Sequence, residues 1–196
     1  MRKVLIALLV LVVLGLVACA KPPQPLIDSA KLAVDQAKAA EAATYAPDAL
    51  RKATDKAASL DQELAVQQDK FFKSYTLTEQ IANELTTLAA QAKNDAVAGK
   101  EQAKKDSEAA IAAAEAAVAT SREDLKKAPK GKGSTADLAA MTGDVDAAQK
   151  NIDDAKADMT AEKFLDAKAK ADNAKAGAEK VTADVLAAIE LKKGKR

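Results

Sequence analysis

The amino-acid sequence predicts an all-α protein of elongated antiparallel helical hairpins. About a quarter of its 196 residues are alanine, and much of the remainder is Lys, Glu, Gln and Leu, all strong helix formers. Aromatic residues make up only 3% of the chain. Apolar residues recur three and four positions apart over long stretches, a pattern typical of packed amphipathic helices. We therefore expect two three-helix bundles with alanine-rich heptad seams, sharing one long central helix in a long and thin structure.

The start of the chain has a different character from the rest. Arg2 and Lys3 precede an apolar run that extends from Val4 to Val17. A membrane span needs about 20 apolar residues, so this run is short for a span but suits the core of a cleavable export signal. Cys19, the only cysteine of the chain, follows directly after Leu16-Val17-Ala18.

Leu16-Val17-Ala18-Cys19 resembles the lipobox of bacterial lipoproteins at all four positions. The resemblance implies that the sulfur of Cys19 carries a diacylglycerol, that residues 1–18 are removed, and that the mature protein stays on a membrane. Ala20, where an Asp would imply retention, favours the periplasmic face of the outer membrane, or the plasma membrane if the host has a single one. The alternative is an ordinary export signal with a chance cysteine at the cut.

The first predicted bundle contains two helices and the start of a third. Segment one covers Leu26–Thr44 and segment two Pro47–Phe72, with Pro47 suited to a first helical position. Thr76 and Glu79 form a predicted capping box that opens segment three. The seams predicted for segments one and two are Leu26, Ala30, Ala33, Ala37 and Ala40, and Leu50, Ala53, Ala57, Leu60, Leu64, Gln67 and Phe71.

Segment three is the predicted long helix, because no proline interrupts it before Pro129. Its three-four alternation is lost around Gly99 and then resumes, which favours a continuous helix that changes partners over a break into two helices there. Segments four and five, predicted over Ala136–Asp158 and from Phe164 onward, complete the second bundle. The predicted divisions are a signal at 1–18, a lipidated tether at 19–25, bundles at 26–98 and 99–192, and a basic tail at 193–196.

A second resemblance concerns the first hairpin. The alanine-rich stretch from Ala37 to Ala57, with its Tyr45-Ala46-Pro47 turn, resembles an uncharacterised family of bacterial lipoproteins built from tetratricopeptide-like helical hairpins. The resemblance implies paired helices across this turn. It implies no activity, because none is established for the family.

Composition argues against catalysis. The chain has no His and no Trp, and its one cysteine is assigned to lipid, so the usual general bases, thiol nucleophiles and metal ligands are missing. We expect no enzyme activity, no cofactor and no metal site. The formal net charge of +1 changes to −1 once Arg2 and Lys3 leave with the signal, and with no basic, aromatic-rich stripe we expect no nucleic-acid partner.

Two groups of surface residues are candidate contact sites. The aromatic residues lie near predicted turns, where they either fill the ends of the bundles or, at Phe72 and Tyr75, form a patch for a partner. If neighbouring helices are antiparallel, the ends of segments three and five meet at a basic tip. These lysines either are simply solvated or bind an anionic polymer such as peptidoglycan. The tip residues are Lys126, Lys127, Lys130, Lys132, Lys192, Lys193, Lys195 and Arg196.

Two function classes fit this sequence. The first is a structural spacer or adaptor of the cell envelope, which contacts peptidoglycan or another envelope protein. The second is a carrier or chaperone-like module whose amphipathic helices hold a lipid or a client protein. Narrow alanine seams favour the spacer, whereas broad Leu and Phe faces would favour the carrier. The heptads allow the helices to pair within one chain or between chains.

Overall fold

The computed structural model describes residues 21–129 and 135–194, and these ranges contain helices and short connections but no strand. The all-α prediction is confirmed. The helices are α1 (Gln24–Ala39), α2 (Ala42–Tyr45), α3 (Pro47–Asp69), α4 (Thr76–Lys127), α5 (Thr135–Thr160) and α6 (Phe164–Gly194).

The chain divides into two compact units. Unit 1 ends at Gly99 and unit 2 begins at Lys100. Helix α4 contributes its first part to unit 1 and its second part to unit 2. Because α4 is one helix from Thr76 to Lys127, the alternative of a break at Gly99 is wrong.

Unit 1 is built from α1, α3 and the first part of α4. Lys31 of α1 pairs with Asp61 of α3 at 2.7 Å, and Lys56 of α3 pairs with Glu84 of α4 at 2.7 Å. These pairs fix the antiparallel register of neighbouring helices. The core between these three helices is narrow, because four of its eight buried residues are alanines. The eight residues are Ile27, Ala30, Val34, Ala53, Leu60, Ala82, Leu85 and Ala89.

The connection between α1 and α3 differs from the prediction. Segment one was predicted to run unbroken to Thr44, but α1 ends at Ala39 and the single turn of α2 follows. Glu41 separates them in the left-handed conformation, with φ at 61°, and its N–H donates to the carbonyl of Lys38. Pro47 then opens α3 at a first-turn position, as predicted.

Unit 2 packs the second part of α4 against α5 and α6. Lys156 of α5 pairs with Glu115 of α4, and Lys170 of α6 pairs with Asp158 of α5. Eight of the 14 buried residues in this core are alanines, so the three helices approach closely. The larger buried side chains are Ile111, Val118, Val145, Ile152, Val181 and Val185.

The turn from α5 to α6 is a Schellman motif. The N–H of Lys163 donates to the carbonyl of Asp158, and the N–H of Glu162 donates to the carbonyl of Met159. Glu162 takes the left-handed position of the motif, with φ at 57°. Its carboxylate also pairs with Lys100 at 2.7 Å, which holds the turn against α4.

The buried face of α4 shows how the seam changes phase. Buried positions alternate three and four apart along its first part, and Gly99 continues that spacing after Ala96. Ala103, Ser107 and Ile111 then follow at consecutive steps of four before the alternation resumes. The seam thus contains two additional steps of four, and each such step is a stutter, which locally unwinds a heptad seam.

The N-cap residue of α4 lies one position earlier in the chain than predicted. The N–H of Glu79 donates to the carbonyl of Tyr75 at 2.9 Å, which makes Tyr75, rather than Thr76, the residue that caps the helix. The predicted capping box, which needs Thr76 in that position, is therefore wrong. Thr78 lies in this turn and is fully buried.

We expect Thr78→Val to stabilise the protein by about 1 kcal/mol. In the described part of the chain, the buried hydroxyl of Thr78 has no hydrogen-bond partner, and an unsatisfied buried polar group costs more than an apolar group of the same shape. Urea unfolding would measure the difference. Thr86→Val is the matched control, because the hydroxyl of Thr86 donates to the carbonyl of Ala82 at 2.9 Å and its loss brings no such gain. Equal effects of the two substitutions would contradict the prediction.

Candidate functional sites

Cys19, the predicted site of lipid attachment, lies outside the described residues. The described chain starts at Lys21, and α1 begins at Gln24 with Pro25 in its first turn. The helix thus starts inside the range predicted as a tether, which the described structure limits to the residues before Gln24. None of the described helices is both long enough and apolar enough to cross a membrane.

The connection between α3 and α4, residues 70–75, is here called the aromatic loop. Phe71 is 81% exposed and Phe72 is 59% exposed, and their rings pack edge to face with centroids 4.9 Å apart. Tyr75 is half-buried. The prediction that aromatic residues fill the ends of the bundles is wrong for Phe71 and Phe72. It holds for Phe164, which is buried at the start of α6.

Gln67 fixes the shape of the aromatic loop. Its side chain is buried, although Gln67 lies in the last turn of α3. Its Oε1 accepts from the backbone N–H of Ser74 at 3.0 Å, and its Nε2 donates to Glu63 at 2.7 Å. Gln67 was predicted to lie in the apolar seam, with no further role. An amide side chain at an otherwise apolar seam position is the feature of the sequence that indicates such a role.

The predicted basic tip is only partly within the described residues. Lys126 and Lys127 end α4, and Lys192 and Lys193 lie in the last turn of α6. Lys130, Lys132, Lys195 and Arg196 lie outside the described ranges. Lys126 pairs with Glu123, and Lys127 pairs with Asp124 at 2.9 Å. The hydrogen bond and the charge of Asp124 raise the pKa of Lys127.

The two described lysine pairs lie at the same end of unit 2 but at different levels. The Glu115–Lys156 and Asp158–Lys170 pairs set the register of the three helices. Counting residues along each helix from these two pairs places the end of α4 level with Val185 of α6. Lys192 and Lys193 therefore lie about two helical turns farther along, rather than meeting Lys126 and Lys127 at one point.

Most ion-paired carboxylates in the described ranges lie on solvated helix faces, whereas the side chains of Asp124 and Asp158 are only 14% exposed. Glu101 and Lys105 pair at 3.5 Å. The hydrogen bond and charge of Lys100 lower the pKa of Glu162, so this carboxylate stays ionised to a more acidic pH than an unpaired glutamate does. Within the described ranges, no group of His, Cys, Asp and Glu side chains is placed to hold a metal ion.

Comparisons with known proteins give no match, whether with family models, curated proteins or solved structures. The resemblance to bacterial lipoproteins rests on residues 16–19, and the resemblance to lipoproteins with tetratricopeptide-like hairpins rests on the stretch around Tyr45-Ala46-Pro47. Both stay predictions.

Proposed function

We propose that this protein is a lipid-anchored spacer or adaptor of the bacterial cell envelope, held at the periplasmic face of the outer membrane by lipid on Cys19. The observation that carries the proposal is the position of the lipobox cysteine. Only four residues separate Cys19 from the first helical residue, Gln24, so a lipid there would hold the folded part close to the membrane.

The character of the two cores supports a spacer over a carrier. Alanines make up half of the buried core residues given for unit 1 and eight of the 14 in unit 2, and closely packed alanine helices present only a narrow apolar face to one another. A carrier must open its helices around a lipid or a client, and the apolar area that it then presents determines its affinity. Narrow seams present little such area.

We further propose that the basic end of unit 2 binds anionic wall polymer reversibly. Lys192 and Lys193 are exposed in the last turn of α6, and no acidic side chain of the described residues is ion-paired with them. Clustered charge of one sign attracts an oppositely charged polymer, and the attraction weakens as salt screens it.

We expect the detergent-solubilised mature protein to pellet with purified peptidoglycan at low salt and to be released by added salt. Replacing four tip lysines with Gln should lower the pelleted fraction toward the level found without peptidoglycan. The tip variant changes Lys126, Lys127, Lys192 and Lys193. A charge-matched control changes four exposed lysines of unit 1, namely Lys21, Lys38, Lys52 and Lys93.

The control should pellet like the unchanged protein, because its charges lie in the other unit. Equal losses in both variants would mean that overall charge, rather than the tip, governs binding. No pelleting of the unchanged protein at low salt would reject the wall contact.

A further inference from the structure

We propose that the aromatic loop inserts Phe71 and Phe72 into the surface of the same membrane that holds the lipid on Cys19. The loop would then be a second membrane contact that fixes the orientation of unit 1. This inference rests on the lipid anchor proposed above, and the experiment below separates the failure of one from the failure of the other.

The exposure of the two phenylalanines is the first argument. Phe71 and Phe72 are adjacent, in edge-to-face contact and largely in solvent, with Val66 and Leu77 also about half exposed on the helices beside them. The turn before α6 buries its phenylalanine, Phe164, so this kind of bundle can cover an aromatic side chain at a turn. A contiguous exposed apolar patch marks a surface that contacts a protein or a membrane.

The second argument is that the loop is held in place. Gln67 is buried beneath it, accepts from the N–H of Ser74 and is itself held by Glu63. The N–H of Lys70 also donates to the carbonyl of Gln67 at 3.3 Å. Hydrogen bonds at both ends of the loop therefore restrain its backbone in the conformation in which Phe71 and Phe72 are largely exposed.

The third argument is location within unit 1. The Lys31–Asp61 pair sets α1 against α3 so that the last residue of α3, Asp69, lies level with the residues just before Gln24. The chain from Cys19 to Gln24 reaches at most about 18 Å when fully extended. A lipid on Cys19 and the aromatic loop therefore lie at the same end of unit 1 and can meet one membrane surface.

The fourth argument is the composition of the loop, which is Lys70-Phe71-Phe72-Lys73-Ser74-Tyr75. Two lysines flank the phenylalanines, and the loop contains no acidic residue. Aromatic rings settle at the level of lipid headgroups, while lysines keep their ammonium groups at the interface and attract anionic lipids. This combination fits an anionic lipid surface better than the apolar core of a partner protein, where lysines are depleted.

A tryptophan placed in the loop tests the inference, because the chain has no other tryptophan. The lipidated Phe72→Trp protein is reconstituted in vesicles of phosphatidylethanolamine and phosphatidylglycerol, with and without bromine on the acyl chains. Val97→Trp is the matched control: Val97 is 59% exposed, the same as Phe72, and lies near the opposite end of unit 1. Vesicle flotation and far-ultraviolet circular dichroism establish for each variant that it is anchored and helical.

We expect Phe72→Trp emission to shift to the blue and to lose most of its intensity in brominated vesicles, and Val97→Trp emission to do neither. If both proteins float and neither is quenched, the inference is overturned and the anchor stands. Equal quenching of both would mean that unit 1 lies flat, without specific insertion of the loop. A blue shift without quenching would show that a protein or a second copy covers the loop. If neither protein floats, the anchor fails and the inference fails with it.

Discussion

We expect Cys19→Ser to release the protein from the membrane fraction and to leave its helices folded. A single acyl chain holds a protein only marginally, whereas the two or three that a lipobox cysteine carries make an effectively permanent anchor. Removing the acceptor sulfur removes all of them at once. The cores are unaffected, because the first residue of α1 lies beyond Cys19 and its buried face starts at Ile27. Membrane fractionation, detergent partitioning and far-ultraviolet circular dichroism together measure both parts of this expectation.

Ala20→Ser is the matched control for this substitution. It introduces the same side chain one residue later and keeps the acceptor sulfur, so the protein should remain in the membrane fraction. The anchor hypothesis fails if Cys19→Ser stays with membranes after residues 1–18 have been removed. A loss of helicity in Cys19→Ser would instead show that the start of the chain contributes to the fold.

The sequence was sufficient to predict which stretches are helical, because local chemistry determines that property. Alanine-rich periodic stretches favour helix wherever they are placed, and Pro47 marks the start of α3 with its own backbone restriction. The break at Glu41 could not be predicted in this way. A left-handed residue at a helix end is usually Gly or Asn. Here the position is occupied by Glu41, so the residue type does not indicate a break.

The phase of the first seam was predicted less well for a related reason. The predicted seam included Leu26, Ala33 and Ala40, but these are half-buried, whereas Ile27 and Val34 are buried. Alanine occurs on several faces of such a helix and defines none of them. Larger side chains bury more apolar area, so Ile27 and Val34 set the rotation of α1.

The candidate sites depended on tertiary structure that periodicity does not specify. The path of the aromatic loop determines whether Phe71 and Phe72 cover a core or face solvent. The buried side chain of Gln67 restrains that path through its hydrogen bond with the N–H of Ser74. The basic end of unit 2 was predicted from helix directions alone. The helix directions place Lys127 and Lys192 at the same end of unit 2. Only the register of the helices, given by the ion pairs, shows that the two lysines are offset along the helix axes.

Gly99→Ala should destabilise unit 1 by about 1–3 kcal/mol, although glycine to alanine in a helix ordinarily stabilises by about 1 kcal/mol. A Cβ atom at position 99 would lie 2.6 Å from the carbonyl oxygen and 3.2 Å from the Cβ of Tyr45. The nearer of these is a backbone atom of the last residue of α2, so the chain must shift to make room. Close approach of two backbones is therefore the reason for glycine at this seam position.

Urea unfolding tests this against two internal controls. Nothing lies within 4 Å of a Cβ atom at Gly143 or Gly177, so Gly143→Ala and Gly177→Ala should raise the free energy of unfolding by about 0.5–1 kcal/mol. Both tyrosines, Tyr45 and Tyr75, belong to unit 1, and without tryptophan their fluorescence reports on that unit. Gly99→Ala should lower the midpoint detected by tyrosine fluorescence, and the control substitutions should not. A Gly99→Ala protein as stable as the controls would mean that Tyr45 does not approach α4 this closely in solution.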